Sequence, residues 1–243
     1  MLALAPGVTY IHEPFNPRTP AGISSAPFDR YFAVVTAENE DRYLPGLERT
    51  LAFRYDLGAQ LGSQHAPRDL ARAGRDFARW LPPRLSRSRP LVKDPIALLS
   101  AEWLADRFGM AVVVLVRHSA AFAASLKRLG WSHDFGTFVV DGHLPEVVRA
   151  YEAEIREQSE RPGDVLAQAS LLWRILYGAV EGYRTRHPGW TYLRHEDASA
   201  DPLGTFERLY SKLGLDFAPR ARREIEQATS ASDTPRNCAP RTT

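Results

Sequence analysis

Residues 111–130 read AVVVLVRHSAAFAASLKRLG. Ala111 to Val116 run without a polar break, the pattern of a short parallel strand covered on both faces. One charged residue follows, then Ser119, a residue type that caps helix starts. Apolar positions at Ala120, Phe122, Ala123, Leu126 and Leu129 then carry a helix that Gly130 can stop. Upstream, Arg89-Pro-Leu-Val-Lys-Asp94 reads as another short buried strand, with a helix through Ala97, Leu98, Trp103, Leu104 and Phe108. Strand, helix, strand and helix in close succession predict an α/β fold with a mostly parallel central sheet flanked by helices.

The remaining segments fit around that centre. Thr9 to Glu13 is aromatic and β-branched and halts at Pro14, which predicts a strand ending near Glu13. Between Phe15 and Pro90 turn residues cluster at Asn16–Pro27 and Pro82–Pro90, and residues 46–58 and 67–80 have helical spacing. A loop at Trp131–His143 precedes helical patterns near 145–160 and 164–186, the second with Leu166, Ala169, Leu172, Trp173, Leu176 and Val180 as its core stripe. Trp190 to Arg194 reads as a strand, Pro202 to Leu213 as a helix closed by Gly214, and the tail from 229 to 243 as a polar end. No internal repeat is present, and residues 1–243 read as one domain.

Composition removes several classes. The 243 residues carry 31 Lys+Arg against 29 Asp+Glu and are 44% hydrophobic, enough for one sizeable core and near neutral in charge. Only Lys93, Lys127 and Lys212 are lysine, and the arginines are scattered among acids, so no nucleic-acid face is expected. No apolar run reaches the ~18 residues of a membrane span. A lone Cys238 allows no disulfide within the chain, and no signal peptide is read at the N-terminus, so a cytoplasmic location is expected. Walker, GxGxxG, GxSxG and HExxH patterns are all absent, and no metal is called for.

Ligands of open α/β sheets sit at the carboxyl ends of the strands. Arg117 stands there, directly after the apolar run, and Ser125 lies eight residues on in the following helix. A guanidinium and a helix hydroxyl so placed can converge on one phosphate; a surface ion pair and a packed serine are the plainer alternative. The wider stretch 112–131 resembles the segment with which sulfotransferases hold the 3′-phosphate of 3′-phosphoadenosine-5′-phosphosulfate (PAPS). Leu91-Val-Lys93-Asp94-Pro95 resembles that family's preceding strand. Tyr192-Leu-Arg194-His195-Glu196-Asp197 is similar to its R-Y-E-D-L segment, with His195 in the usual tyrosine's place. Residues 1–17, with Glu13-Pro14-Phe15, look like the strand that delivers a glutamate base in some members.

The resemblance implies a P-loop-like sulfotransferase fold and sulfuryl transfer from PAPS to a small-molecule or carbohydrate hydroxyl, leaving adenosine 3′,5′-bisphosphate. It assigns Arg117, Ser125 and His195 to the nucleotide and Glu13 and Lys93 to catalysis. His12 and Asp94 stay open as alternative bases, His12 being expected to point away from Glu13 by strand alternation. Phe28, Tyr31, Phe32, Tyr43, Trp131 and Phe135 are candidates to line an acceptor pocket. The family's first strand and 5′-phosphosulfate loop are not found, so the fold is expected to be incomplete at the N-terminus. The alternative is therefore a non-catalytic or truncated nucleotide-binding protein, with open strand edges that favour self-association.

Overall fold

The computed structural model describes residues 1–62, 67–139 and 144–230, with side chains left aside at 67–72 and 230. Strand β1 (Val8–His12) leads through a long irregular excursion to α1 (Leu44–Leu51), α2 (Leu57–Gly62) and α3 (Pro67–Leu85). Strand β2 (Arg89–Lys93) follows, then a 3₁₀ turn at Ile96–Ser100 that runs into α4 (Ala101–Phe108). Strand β3 (Val113–Val116) feeds α5 (Ser119–Leu129), after which α6 (Glu152–Glu160) and α7 (Val165–Arg186) return the chain to β4 (Thr191–Arg194). Helices α8 (His195–Ala200), α9 (Pro202–Lys212) and α10 (Pro219–Ser230) complete the described chain.

All strand pairing is parallel, as expected, but the strands do not form one central sheet. β1 pairs with β2, His12 opposite Lys93, and β3 pairs with β4, Val116 opposite Arg194. Among the described residues these are two separate two-stranded sheets. That split corrects the expectation of buried strands. An apolar run is covered on both faces only when neighbours flank it; here Leu115 is 53% exposed and Val114 alone of β3 is buried. In β2, Arg89, Pro90 and Lys93 are likewise exposed.

The core gathers instead around α7. Its residues Leu171, Leu172, Ile175, Leu176, Ala179 and Tyr183 pack with Phe15, Phe28, Phe32, Leu47, Val148 and Ile155. The helical stripe was legible, except that Leu166 in the first turn is exposed. Smaller differences are local. Pro82 and Pro83 lie in the last turn of α3 rather than in a turn region. His118, not Ser119, caps α5, its Nδ1 accepting the Ala120 N–H at 3.2 Å. Gly130 and Gly214 close their helices at positive φ, as read. Helix α10 covers the start of the segment taken as a polar tail. Cys238, His143 and residues 231–243 lie outside the described residues. No described helix is long and apolar enough to cross a membrane.

Candidate functional site

The equal register of each parallel pair brings two carboxyl ends level, and both ends collect polar groups. At the end of β1 and β2, Glu13 leaves the strand with φ +43, a left-handed conformation that costs a non-glycine residue energy and must be held by its surroundings. The holding bonds are visible. Glu13 N–H donates to Lys93 O at 3.0 Å, the Thr19 hydroxyl donates to Glu13 O at 2.8 Å, and Phe15 N–H donates to an Asp94 carboxyl oxygen at 2.8 Å. The turn thereby points the Glu13 side chain at Lys93, whose Nζ donates to Oε1 at 2.7 Å, while Asn16 Nδ2 donates to Oε2 at 3.1 Å.

The same turn overturns the expected separation of His12 from Glu13. Alternation holds only within a strand, and β1 ends at His12; with Glu13 left-handed, His12 Nδ1 comes to 4.0 Å from Glu13 Oε1. His12 itself is exposed, stacked on Tyr10 and hydrogen-bonded to its hydroxyl at 3.0 Å.

The two carboxyl groups here differ in acidity. Burial pushes Glu13 up, but hydrogen bonds from Lys93 and Asn16 and the charges of Lys93 and His12 outweigh it and hold the group below the ordinary range. Asp94 is pushed up to about 6, chiefly by burial and in part by Glu13, against the downward pull of N–H bonds from Phe15, Ile96 and Ala97. Its oxygens are committed to those three donors, at 2.8, 2.9 and 3.2 Å, so Asp94 holds the Glu13 turn in place.

At the end of β3 and β4 the main chain of Arg117 is clamped by α7. Trp173 Nε1 donates to Arg117 O at 2.9 Å, and Arg117 N–H donates to the Tyr177 hydroxyl at 2.8 Å. The guanidinium Nε is buried and has no hydrogen-bond partner among the described residues. A buried donor left unmade costs roughly 1–3 kcal/mol, so such a group is a standing demand for an acceptor. The next residue, His118, donates its N–H to Glu196 at 3.0 Å, tying the β3–α5 turn to the start of α8. His195 therefore sits at the same end as Arg117, exposed, with Ser199 as its neighbour at 3.4 Å. Ser125 lies in the second turn of α5, half-buried, and no hydrogen bond joins it to Arg117 among the described residues.

Comparison with protein-family models, with curated proteins and with solved structures finds no match.

Of the six aromatic residues proposed for an acceptor pocket, Phe28, Phe32, Tyr43 and Phe135 are core, in ring contact with one another or with their neighbours. Only Tyr31 and Trp131 are partly exposed, edge to face at 6.2 Å. Sequence reasoning missed the roles of Trp173 and Tyr177, which it had placed in a core stripe or passed over; nothing in helical spacing distinguishes a ring that packs from one that also hydrogen-bonds a strand end. It also passed over His133, buried among Phe32, Trp131, Phe135 and Phe138 with its Nε2 unpartnered and its pKa lowered by burial to about 4. No group of three metal-ligating side chains occurs among the described residues.

Proposed function

We propose that the chain transfers a sulfuryl group from PAPS to the hydroxyl of a small-molecule or carbohydrate acceptor. The observation that carries this reading is the buried Nε of Arg117, without a hydrogen-bond partner among the described residues, on a strand end whose main chain two aromatic side chains hold in place. A guanidinium so placed suits the 3′-phosphate, with Ser125 and His195 as further contacts. On the same reading the two separate parallel pairs serve a P-loop-like sulfotransferase arrangement, each presenting its carboxyl ends to the donor.

The reaction is an in-line displacement at sulfur. The acceptor oxygen forms a bond to sulfur while the bond from sulfur to the 5′-phosphate oxygen breaks, and the acceptor proton passes to Glu13. Lys93 neutralises charge growing on the leaving phosphate. At rest it holds the Glu13 carboxylate at 2.7 Å and keeps it a weak base. When Lys93 turns to the sulfuryl group, that bond is lost and Glu13 becomes more basic, so charge neutralisation and base activation are one motion. The committed oxygens of Asp94 and the exposure of His12 favour Glu13 over both as the base.

Calorimetry with adenosine 3′,5′-bisphosphate and with adenosine 5′-monophosphate tests the reading. Arg117→Ala is expected to weaken only the first, by about 10- to 100-fold, the value of hydrogen bonds to a charged group. No binding of the bisphosphate by the unaltered chain refutes the proposal. A second reading, nucleotide binding without transfer, is favoured by the split sheet, since Leu115 is exposed where a transferase sheet would be continuous. Bisphosphate binding with no transfer from labelled PAPS selects it.

A further inference from the structure

A solvent-open cavity of about 440 Å3 runs along α7, between that helix, the end of β3 and the chain leading into α6. Its size is that of a small-molecule site. We propose that it binds a free aromatic amino acid, independently of the sulfuryl-transfer reading.

Rings and charges together carry the assignment. Tyr151, Trp173 and Tyr177 supply aromatic walls, the latter two 4.6 Å apart between centroids and tilted by 30°. The polar atoms of that pair are engaged with Arg117, so what they offer the cavity is chiefly ring surface. Such surface takes up a flat ring of the ligand by offset or edge contact.

Three charged groups border it, and they are not equivalent. Arg174 is spent: both its terminal nitrogens are bonded to Glu154. Glu181 and Arg184 also line the cavity, less than one helical turn apart, yet neither pairs with the other or with any opposite charge among the described residues. Arg184 lies instead over the Tyr192 ring at 5.2 Å. Among the described residues the cavity therefore presents one cation and one anion, less than a turn apart on α7 and each without an ion-pair partner, at an aromatic wall. A simple aromatic anion satisfies one and is repelled by the other. A zwitterion with adjacent carboxylate and ammonium groups satisfies both, and an aromatic side chain fills the remaining surface.

Gly178 shows that the wall is built closely. It interrupts a 22-residue helix where glycine costs about 1 kcal/mol against alanine, and a Cβ there would stand 2.5 Å from the Tyr151 hydroxyl, which donates to Arg174 O.

Titration calorimetry on the full chain with L-phenylalanine, 3-phenylpropionate, phenethylamine and L-alanine decides the matter. Saturable binding of L-phenylalanine, with each of the other three at least about tenfold weaker, is expected, since each lacks one recognised group. Glu181→Gln should weaken L-phenylalanine but not 3-phenylpropionate, and Arg184→Gln should weaken L-phenylalanine but not phenethylamine. Both side chains are exposed, so neither variant endangers folding. Absence of saturable L-phenylalanine binding, or equal losses for all ligands in either variant, overturns the proposal. Adenosine 3′,5′-bisphosphate binding unchanged in Glu181→Gln keeps this test separate from that of the proposed activity.

Discussion

Asp94 and His133 set opposite pH slopes on stability, and the slopes should nearly cancel. Asp94 rises from 3.8 to about 6 on folding, so between those values the folded chain holds more protons than the unfolded one and stability falls as pH rises. His133 drops from 6.5 to about 4, so over almost the same window the unfolded chain holds more protons and stability rises with pH. At about 1.36 kcal/mol per unit, Asp94 takes away about 2 kcal/mol between about pH 4.5 and pH 7, and His133 adds a similar amount over that interval. The two contributions oppose each other and largely offset in the unaltered chain.

Single variants unmask the slopes. Asp94→Asn should become about 2 kcal/mol less stable on going from about pH 7 to pH 4.5, relative to the unaltered chain, on top of a pH-independent loss of the Phe15 bond. His133→Phe, which suits the surrounding rings, should show the reverse slope relative to the unaltered chain, and the double variant should run parallel to the unaltered chain. Urea unfolding followed by fluorescence at five pH values measures all four. The other carboxylates that folding makes more acidic and that lie away from Asp94, Glu102 among them, are common to the set and drop out of the differences. Parallel pH curves for the unaltered chain and Asp94→Asn would refute the argument.

Three further outcomes follow from single contacts. Trp173→Phe keeps the ring but removes the donor to Arg117 O, and should cost about 1 kcal/mol in thermal stability together with weaker binding of adenosine 3′,5′-bisphosphate. Lys93→Met should raise the Glu13 pKa toward its ordinary value, read by carbon-detected NMR titration of the side-chain carboxyl; an unmoved titration would show that burial, Asn16 and His12 govern it without Lys93. Gly46→Ala should destabilise by about 1–3 kcal/mol, because a Cβ there runs into the main chain of Ala26 and forces α1 away from the segment packed on it; a shift in the urea midpoint measures this.

How much was legible depended on the range over which each feature is encoded. The β3–α5 unit and the stop at Gly130 were readable because the switch from an apolar run to helical spacing is local. The strand ends at Glu13 and Lys93 were readable for the same reason, and so was the strand-end position of Arg117. The division of the strands into two pairs was not, because pairing partners lie far apart in the chain and an apolar run does not say how many neighbours it has. The acceptor-pocket aromatics failed similarly: Phe28 and Tyr43 look alike in sequence whether they line a pocket or stack in a core. His133 gave no signal, since its burial comes from rings on both sides of it and from the excursion that carries Phe32. The left-handed turn at Glu13 was equally silent, as no glycine or asparagine marks it.

The register of the strand pairs also has a kinetic meaning. Val8 faces Arg89 and Val113 faces Thr191, so each ladder joins residues about eighty positions apart. Loop closure of that length must precede any reward from pairing, whereas α5 and α7 meet over a shorter span and nucleate from local turns. On loop length alone, the α5–α7 contact is expected to form before the ladders, and the two strand-end groups to be completed after it. Destabilising α7 should slow folding, while cuts to a ladder such as Ile11→Ala should mainly speed unfolding.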